Sequence, residues 1–142
     1  MTVNAILQSK GADVFTMGPH ATLREVASEL TRRKIGAVLI LEDEELRGII
    51  SERDIVRGVA EKGADALAQS AASTMTRALE TCGRHDAIDD VMHRMTVSRF
   101  RHMPVIEDGR LIGLVSIGDV VKRRIEDTVR ESDDMRAYIH SS

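Results

Sequence analysis

Shifted against itself by 65 residues, the chain aligns 16–57 with 81–122 without a gap. Identical pairs include Thr16/Thr81, Gly18/Gly83, His20/His85, Val26/Val91, Glu42/Glu107, Asp43/Asp108, Leu46/Leu111, Gly48/Gly113, Ser51/Ser116, Asp54/Asp119 and Val56/Val121. Other apolar positions match in kind: Leu23/Ile88, Leu30/Met95, Ile40/Val105 and Ile49/Leu114. Glycines and core positions that coincide in one frame mean a duplicated unit, so the two copies must share a fold.

Each copy reads in the same order. A short extended stretch, Val14-Phe15-Thr16 or Leu79-Glu80-Thr81, leads into an amphipathic helix. Leu23, Val26, Ala27 and Leu30 fall at i, i+3, i+4 and i+7, and Ile88, Val91, Met92 and Met95 repeat the stripe. Apolar runs too short for helices follow: Ala37 to Leu41 and Leu46 to Ile50, then Met103 to Ile106 and Leu111 to Val115. Acidic turns, 42–45 and 107–110, join them, and this is a hairpin pattern. A second helix follows Ser51 or Ser116. The fold class is therefore α+β, layered, with two tandem β-α-β-β-α repeats. One repeat alone buries little apolar surface, so two units packed about a pseudo-twofold axis are expected. The division is 1–70 for the first repeat with its linker (the linker being 64–73), 71–127 for the second, and 128–142 for a helical tail. The tail, 117–139, reads as one long or broken helix, too polar beyond Arg130 to be core; it either packs on a partner subunit, the favoured reading, or frays.

The remaining features exclude more than they assign. The 142 residues are 42% hydrophobic and 30% charged, an ordinary globular balance. A net charge of −3 with two Phe, one Tyr and no Trp offers neither the basic footprint nor the stacking platforms of a nucleic-acid binder. Cys82 is the only cysteine, which suits a reducing cytoplasm and reads as a small filler. The N-terminus does not read as a signal peptide, and no apolar run approaches membrane-spanning length. His20, His85, His93, His102 and His140 lack metal-site spacing. Neither a GxxxxGK[ST] loop nor a GxGxxG turn is present, and Gly58 to Gly63 reads as a helix end with a glycine cap.

Two motifs admit both a structural and a functional reading. Ser51-x-x-Asp54 and Ser116-x-x-Asp119 have the form of a capping box. Recurring in both copies, they also present an ionised carboxylate, a hydrogen-bond acceptor, at the same place in each. Arg99-Phe100-Arg101-His102 can be a solvated basic edge or, at a strand entry, a phosphate contact.

The tandem β-α-β-β-α order, the Gly-apolar-apolar-Ser-x-x-Asp segment closing each repeat, and the Met103-Pro104-Val105-Ile106 strand together resemble the cystathionine-β-synthase (CBS) domain pair, or Bateman module. The resemblance runs from about Ile6 to Arg124, with nothing appended that resembles an enzyme or channel, as in stand-alone bacterial-type pairs. It implies adenine nucleotides or adenosyl compounds in clefts between the repeats, and a homodimer. Carried over by position, a main cleft would comprise Thr16, Ile35, Gly36, Ala37, Val38, Arg101, His102, Met103, Ser116 and Asp119. A second would comprise Lys34, Ser51, Arg53, Asp54, Thr81, Phe100 and Pro104. Gly36 and Ala37 stand where Arg101 and His102 do, which removes two cationic donors and predicts unequal sites, the Asp119 cleft holding a phosphorylated ligand more tightly.

The expected function is therefore a non-catalytic, cytoplasmic regulatory module that senses AMP, ATP, NAD(H) or S-adenosylmethionine and signals to a protein partner. It needs no catalytic cofactor and no metal. A scaffold with vestigial clefts, a nucleotide-processing enzyme and a nucleic-acid binder are the competing readings.

Overall fold

The apolar runs on either side of each acidic turn close into antiparallel hairpins in the computed structural model, which describes residues 1–11 and 13–141, save the Ser141 side chain. In the first repeat β2 (Ala37–Glu42) pairs with β3 (Glu45–Ser51); in the second β4 (His102–Glu107) pairs with β5 (Arg110–Ser116). Both hairpins have two-residue loops with left-handed φ at both central positions, Asp43 (52°) and Glu44 (65°), then Asp108 (52°) and Gly109 (77°). That handedness matches the twist of the flanking strands. Each also carries one register shift at the same place, between Ile40 and Leu41 and between Val105 and Ile106.

The extended stretch ahead of the first helix is short. β1 (Thr16–Met17) joins β2 in parallel, opposite Leu39 and Ile40. The second copy reduces it to one bridge, Cys82 to Val105, held by Cys82 N–H to Pro104 O (3.0 Å) and Ile106 N–H to Cys82 O (2.8 Å). Helices α2 (Leu23–Arg33) and α5 (Ile88–Ser98) bury the faces expected of them, Leu23, Val26 and Leu30 in one and Ile88, Val91 and Met95 in the other. Thr22 and Glu25 close a capping box at the start of α2, whereas Ala87 gives α5 no side-chain cap. Both helices end on a cationic residue in the left-handed region, Lys34 (φ 55°) and Arg99 (φ 59°).

After the hairpins come α3 (Glu52–Lys62), capped by Gly63 at φ 67°, and α6 (Ile117–Ser141), an unbroken 25-residue helix. The linker folds as a 3-10 turn (Gly63–Ala68) and a short α4 (Ala71–Thr74).

The chain forms two compact units. One comprises Val14–Leu79; the other comprises Met1–Asp13 with Glu80–Ser142. An N-terminal helix absent from the sequence reading, α1 (Val3–Lys10), buries Val3, Ile6 and Leu7 in the core of the second repeat. The backbone explains the exchange. Val3 N–H bonds to Asp86 O (3.0 Å) and Asn4 N–H to Arg84 O (2.8 Å), while in the other unit Ala71 N–H bonds to Ala21 O (2.7 Å) and Ala72 N–H to Pro19 O (3.0 Å). The same junction is thus built twice, each repeat using the short helix that precedes the other in the chain.

Each unit has its own core. Leu23, Val26, Leu30, Val38, Ile40 and Ile50 pack with Ala71 and Met75 in one. Val91, Met95, Met103, Val105, Val115 and Val120 pack with α1 in the other. Two glycines mark the closest approaches: a Cβ on Gly48 would lie 2.8 Å from Met75 and from the Thr76 carbonyl, and one on Gly113 would lie 2.6 Å from Leu7.

Candidate functional site

The open end of each hairpin, opposite its acidic turn, brings together the strand entry and the Ser-x-x-Asp cap. Ala37 lies opposite Ser51 and His102 opposite Ser116. Glu52 N–H bonds to Gly36 O (3.0 Å), and Ile117 N–H bonds to Arg101 O (2.8 Å). In the first-repeat unit this gathers Ile35, Gly36, Ala37 and Val38 with Ser51, Arg53 and Asp54, while Thr16 lies on β1 beside β2. In the second-repeat unit it gathers Phe100, Arg101, His102, Met103 and Pro104 with Ser116 and Asp119. Thr81 precedes the Cys82 bridge, and its carbonyl accepts from the Arg94 guanidinium.

Exposure divides these residues. Lys34, Arg53, Thr81 and Arg101 are exposed, and Thr16, Ile35, Gly36, Phe100 and His102 are half-buried. Val38 and Met103 are wholly buried in the cores, so only their backbone is available to a ligand.

Both Ser-x-x-Asp segments are capping boxes. Ser51 Oγ accepts from Asp54 N–H (3.4 Å) and Ser51 N–H donates to Asp54 Oδ2 (2.8 Å). Ser116 Oγ accepts from Asp119 N–H (3.1 Å) and Ser116 N–H donates to Asp119 Oδ2 (2.9 Å). The carboxylates then part company. Asp54 is 5% exposed; its Oδ2 also accepts from the Ser51 hydroxyl (3.2 Å), and its Oδ1 from Arg57 (2.6 Å) and the Thr76 hydroxyl (3.4 Å). Both of its oxygens are engaged. Asp119 has its side chain 26% exposed and concentrates its bonds on Oδ2, which also accepts from Lys10 Nζ at 2.7 Å. No described group bonds its Oδ1.

Lys10 belongs to the last turn of α1 and donates a second bond to Leu114 O (3.0 Å). Burial pushes the Asp119 carboxyl up, but the Lys10 ammonium and the Ser116 bonds outweigh it and hold the group below the usual carboxylate value. Arg57, Thr76 and Lys10 were not singled out in the sequence. Lys10 was detectable only as the basic last-turn residue of a short helix whose apolar positions Val3, Ile6 and Leu7 fall at i, i+3 and i+4.

Cys82 is buried, and desolvation first, with Asp86 second, pushes its thiol up to about 11, the opposite of what a nucleophile needs. Among the described residues no group of three or more His, Cys, Asp or Glu is placed to hold a metal ion. No described helix is long and apolar enough to cross a membrane.

Two copies of a β-α-β-β-α unit, each closing on a capped Ser-x-x-Asp segment, define a tandem-repeat protein. The CBS domain model matches residues 7–61 and 71–126, and the chain belongs to the CBS-domain family. Among curated relatives it is similar to the CBS domain-containing protein CBSX3, mitochondrial, of Arabidopsis thaliana, 31% identical, covering 97% of this chain and 71% of that one. Among solved structures it is similar to the CBS-domain containing protein ATU1752 from Agrobacterium tumefaciens, with 46% identity, a TM-score of 0.85, and coverage of 87% of this chain and 99% of that one. The CBS domain protein PAE2072 from Pyrobaculum aerophilum, solved complexed with AMP, shares 26% identity at a TM-score of 0.74, covering 84% and 89%.

Proposed function

We propose that this chain is a non-catalytic regulatory module that binds an adenosine-containing ligand, with Asp119 accepting from the ribose hydroxyls. The observation that carries this reading is the contrast between the carboxylates. Asp119 keeps Oδ1 unengaged among the described residues on a partly exposed side chain, whereas Asp54 is buried with both oxygens bonded. A ribose diol needs an acceptor that is not already saturated. The two sites are therefore unequal, and the Asp119 site binds more tightly. The exposed Arg101 beside the Ser116 cap supplies a cation for a phosphate. The AMP complex of the Pyrobaculum relative supports an adenine nucleotide as the ligand. AMP, ATP, NAD(H) and S-adenosylmethionine are the compounds to compare, and occupancy is passed to a protein partner in the cytoplasm.

The module acts as a homodimer, and α6 is its contact. Every described residue from Thr128 to His140 is exposed, and Val121, Ile125, Val129, Met135 and Ile139 form an apolar stripe along the helix. A bare helical segment of this length is marginal in water. With Ile125 and Ile139 at a positions and Val121 and Met135 at d, Glu131 falls at g and Arg136 at e, the spacing of an attractive pair across a parallel dimer. A second copy therefore fits the stripe.

The test is thermal denaturation and calorimetric titration with each ligand. A ligand at one hundred times its dissociation constant should add about 2.7 kcal/mol of stability. Asp119→Ala should abolish that gain and Asp54→Ala should leave most of it. No stabilisation by any of the four compounds would turn the reading toward a scaffold with vestigial clefts.

A further inference from the structure

We infer that Lys10 is the residue that makes the Asp119 site select phosphorylated adenosyl ligands over neutral ones. The inference rests on the assignment of Asp119 to the ribose hydroxyls. Four observations support it. Lys10 Nζ meets Asp119 Oδ2 at 2.7 Å, and a second bond, to Leu114 O at 3.0 Å, fixes the ammonium there. Its side chain is 40% exposed, so the pair lies at the surface and is not sealed in the core. It engages only the carboxylate oxygen that already caps α6, so a hydroxyl can reach Oδ1 without displacing it. It also reaches the site from α1, an element separate from the strand entry and the cap.

The consequence is electrostatic. A bare carboxylate that accepts from a ribose repels a phosphate tethered to the same sugar, and the repulsion grows as water leaves the site. An ammonium seated on the carboxylate cancels that charge, so the paired site no longer repels the phosphate. A neutral nucleoside gains nothing from this arrangement beyond a carboxylate held in place. In the other unit the cation paired with the carboxylate is Arg57, on the same helix as Asp54, and it takes up Oδ1 itself. The equivalent compensation there leaves no oxygen for a sugar.

The experiment compares AMP with adenosine by calorimetry on the full-length wild type, Lys10→Met, Lys10→Arg and Asp119→Ala, with melting curves to confirm that each variant is folded. Lys10→Met should weaken AMP about tenfold and adenosine by less than about threefold, while Lys10→Arg restores most of the AMP preference. Equal losses for both ligands in Lys10→Met would make the lysine a purely structural anchor and overturn the inference, with the ribose assignment intact. Unchanged AMP affinity in Asp119→Ala would overturn the ribose assignment itself and the inference with it. A wild type that binds neither ligand would overturn both.

Discussion

The two units share one repeated frame, yet they differ in how tightly each is sealed where its hairpin meets its short packing helix. In the first-repeat unit Gly48 lies against backbone: a Cβ there would sit 2.8 Å from the Thr76 carbonyl oxygen as well as from Met75 Cγ and Sδ. Ile49 and Thr76 also exchange two backbone bonds, of 3.0 and 2.9 Å, and the Thr76 hydroxyl reaches Asp54. In the second-repeat unit the group over Gly113 is the end of the Leu7 side chain, and the cation on the aspartate comes from a lysine at a helix terminus. One copy is closed by main chain and a buried carboxylate, the other by side chains that can move. Duplication supplied one frame twice, and packing has closed the two copies differently.

The largest expected effect probes that difference directly. Gly48→Ala should destabilise its unit by about 3 kcal/mol, because a carbonyl oxygen cannot step aside. Gly113→Ala should cost about 1–2 kcal/mol, because Leu7 can change rotamer, and adding Leu7→Val should recover part of the loss. Denaturant melts of the three variants decide the matter. Equal losses at both glycines, or no recovery with Leu7→Val, would break the contrast.

The aspartates give the next effect. Asp54→Ala removes the carboxylate half of the capping box and leaves the Ser51 N–H and the Thr76 hydroxyl without their partner, an expected loss of about 2 kcal/mol. Asp119→Ala loses the same half of its box, with the Lys10 pair, in a wetter setting and should cost about 1 kcal/mol. Acid separates them further. The folded-state carboxyl of Asp119 lies below its ordinary value of 3.8, so its contribution is complete above that pH and is lost as the pH falls through the folded value. The stability gap between wild type and Asp119→Asn should therefore hold from neutrality down to about pH 4 and close below it. A gap that narrowed already between pH 7 and 5 would contradict the Lys10 pairing.

What the sequence disclosed follows from what repeats in it. The hairpins, the amphipathic faces of α2 and α5 and both caps were legible because side-chain period and turn chemistry are local, and each appears twice. The α1 helix was not legible. The short leading helices, with Val3 matching Ala71, are 68 residues apart rather than 65, so the ungapped frame that exposes the duplication stops before them. Their exchange between repeats is a tertiary fact with no local signal. For the same reason the sequence marks both aspartates alike: nothing near Asp119 in the chain announces a lysine 109 positions earlier, and nothing near Asp54 announces Thr76. The local pattern supplies the carboxylates, and packing decides which of them is left an open oxygen.

The smallest expected effect concerns the turns, where the two hairpins also differ by one residue. Both loops place two successive residues in the left-handed region; the first repeat fills them with Asp43 and Glu44, the second with Asp108 and Gly109. An L side chain at such a φ costs about 1 kcal/mol, whereas glycine pays instead through the freedom it loses on folding. The balance favours glycine at the second position, where Glu44 holds φ 65° on an exposed loop. Glu44→Gly should therefore stabilise the first hairpin by about 0.5 kcal/mol, and Gly109→Glu should destabilise the second by a similar amount, since nothing lies within 4 Å of a Cβ there to compensate or to clash. Melting the two single variants and their combination measures both signs. Equal and opposite shifts that sum to nearly zero would mean that the turns are interchangeable parts. The difference between the repeats would then rest on what covers Gly48 and Gly113 and on which cation each aspartate holds.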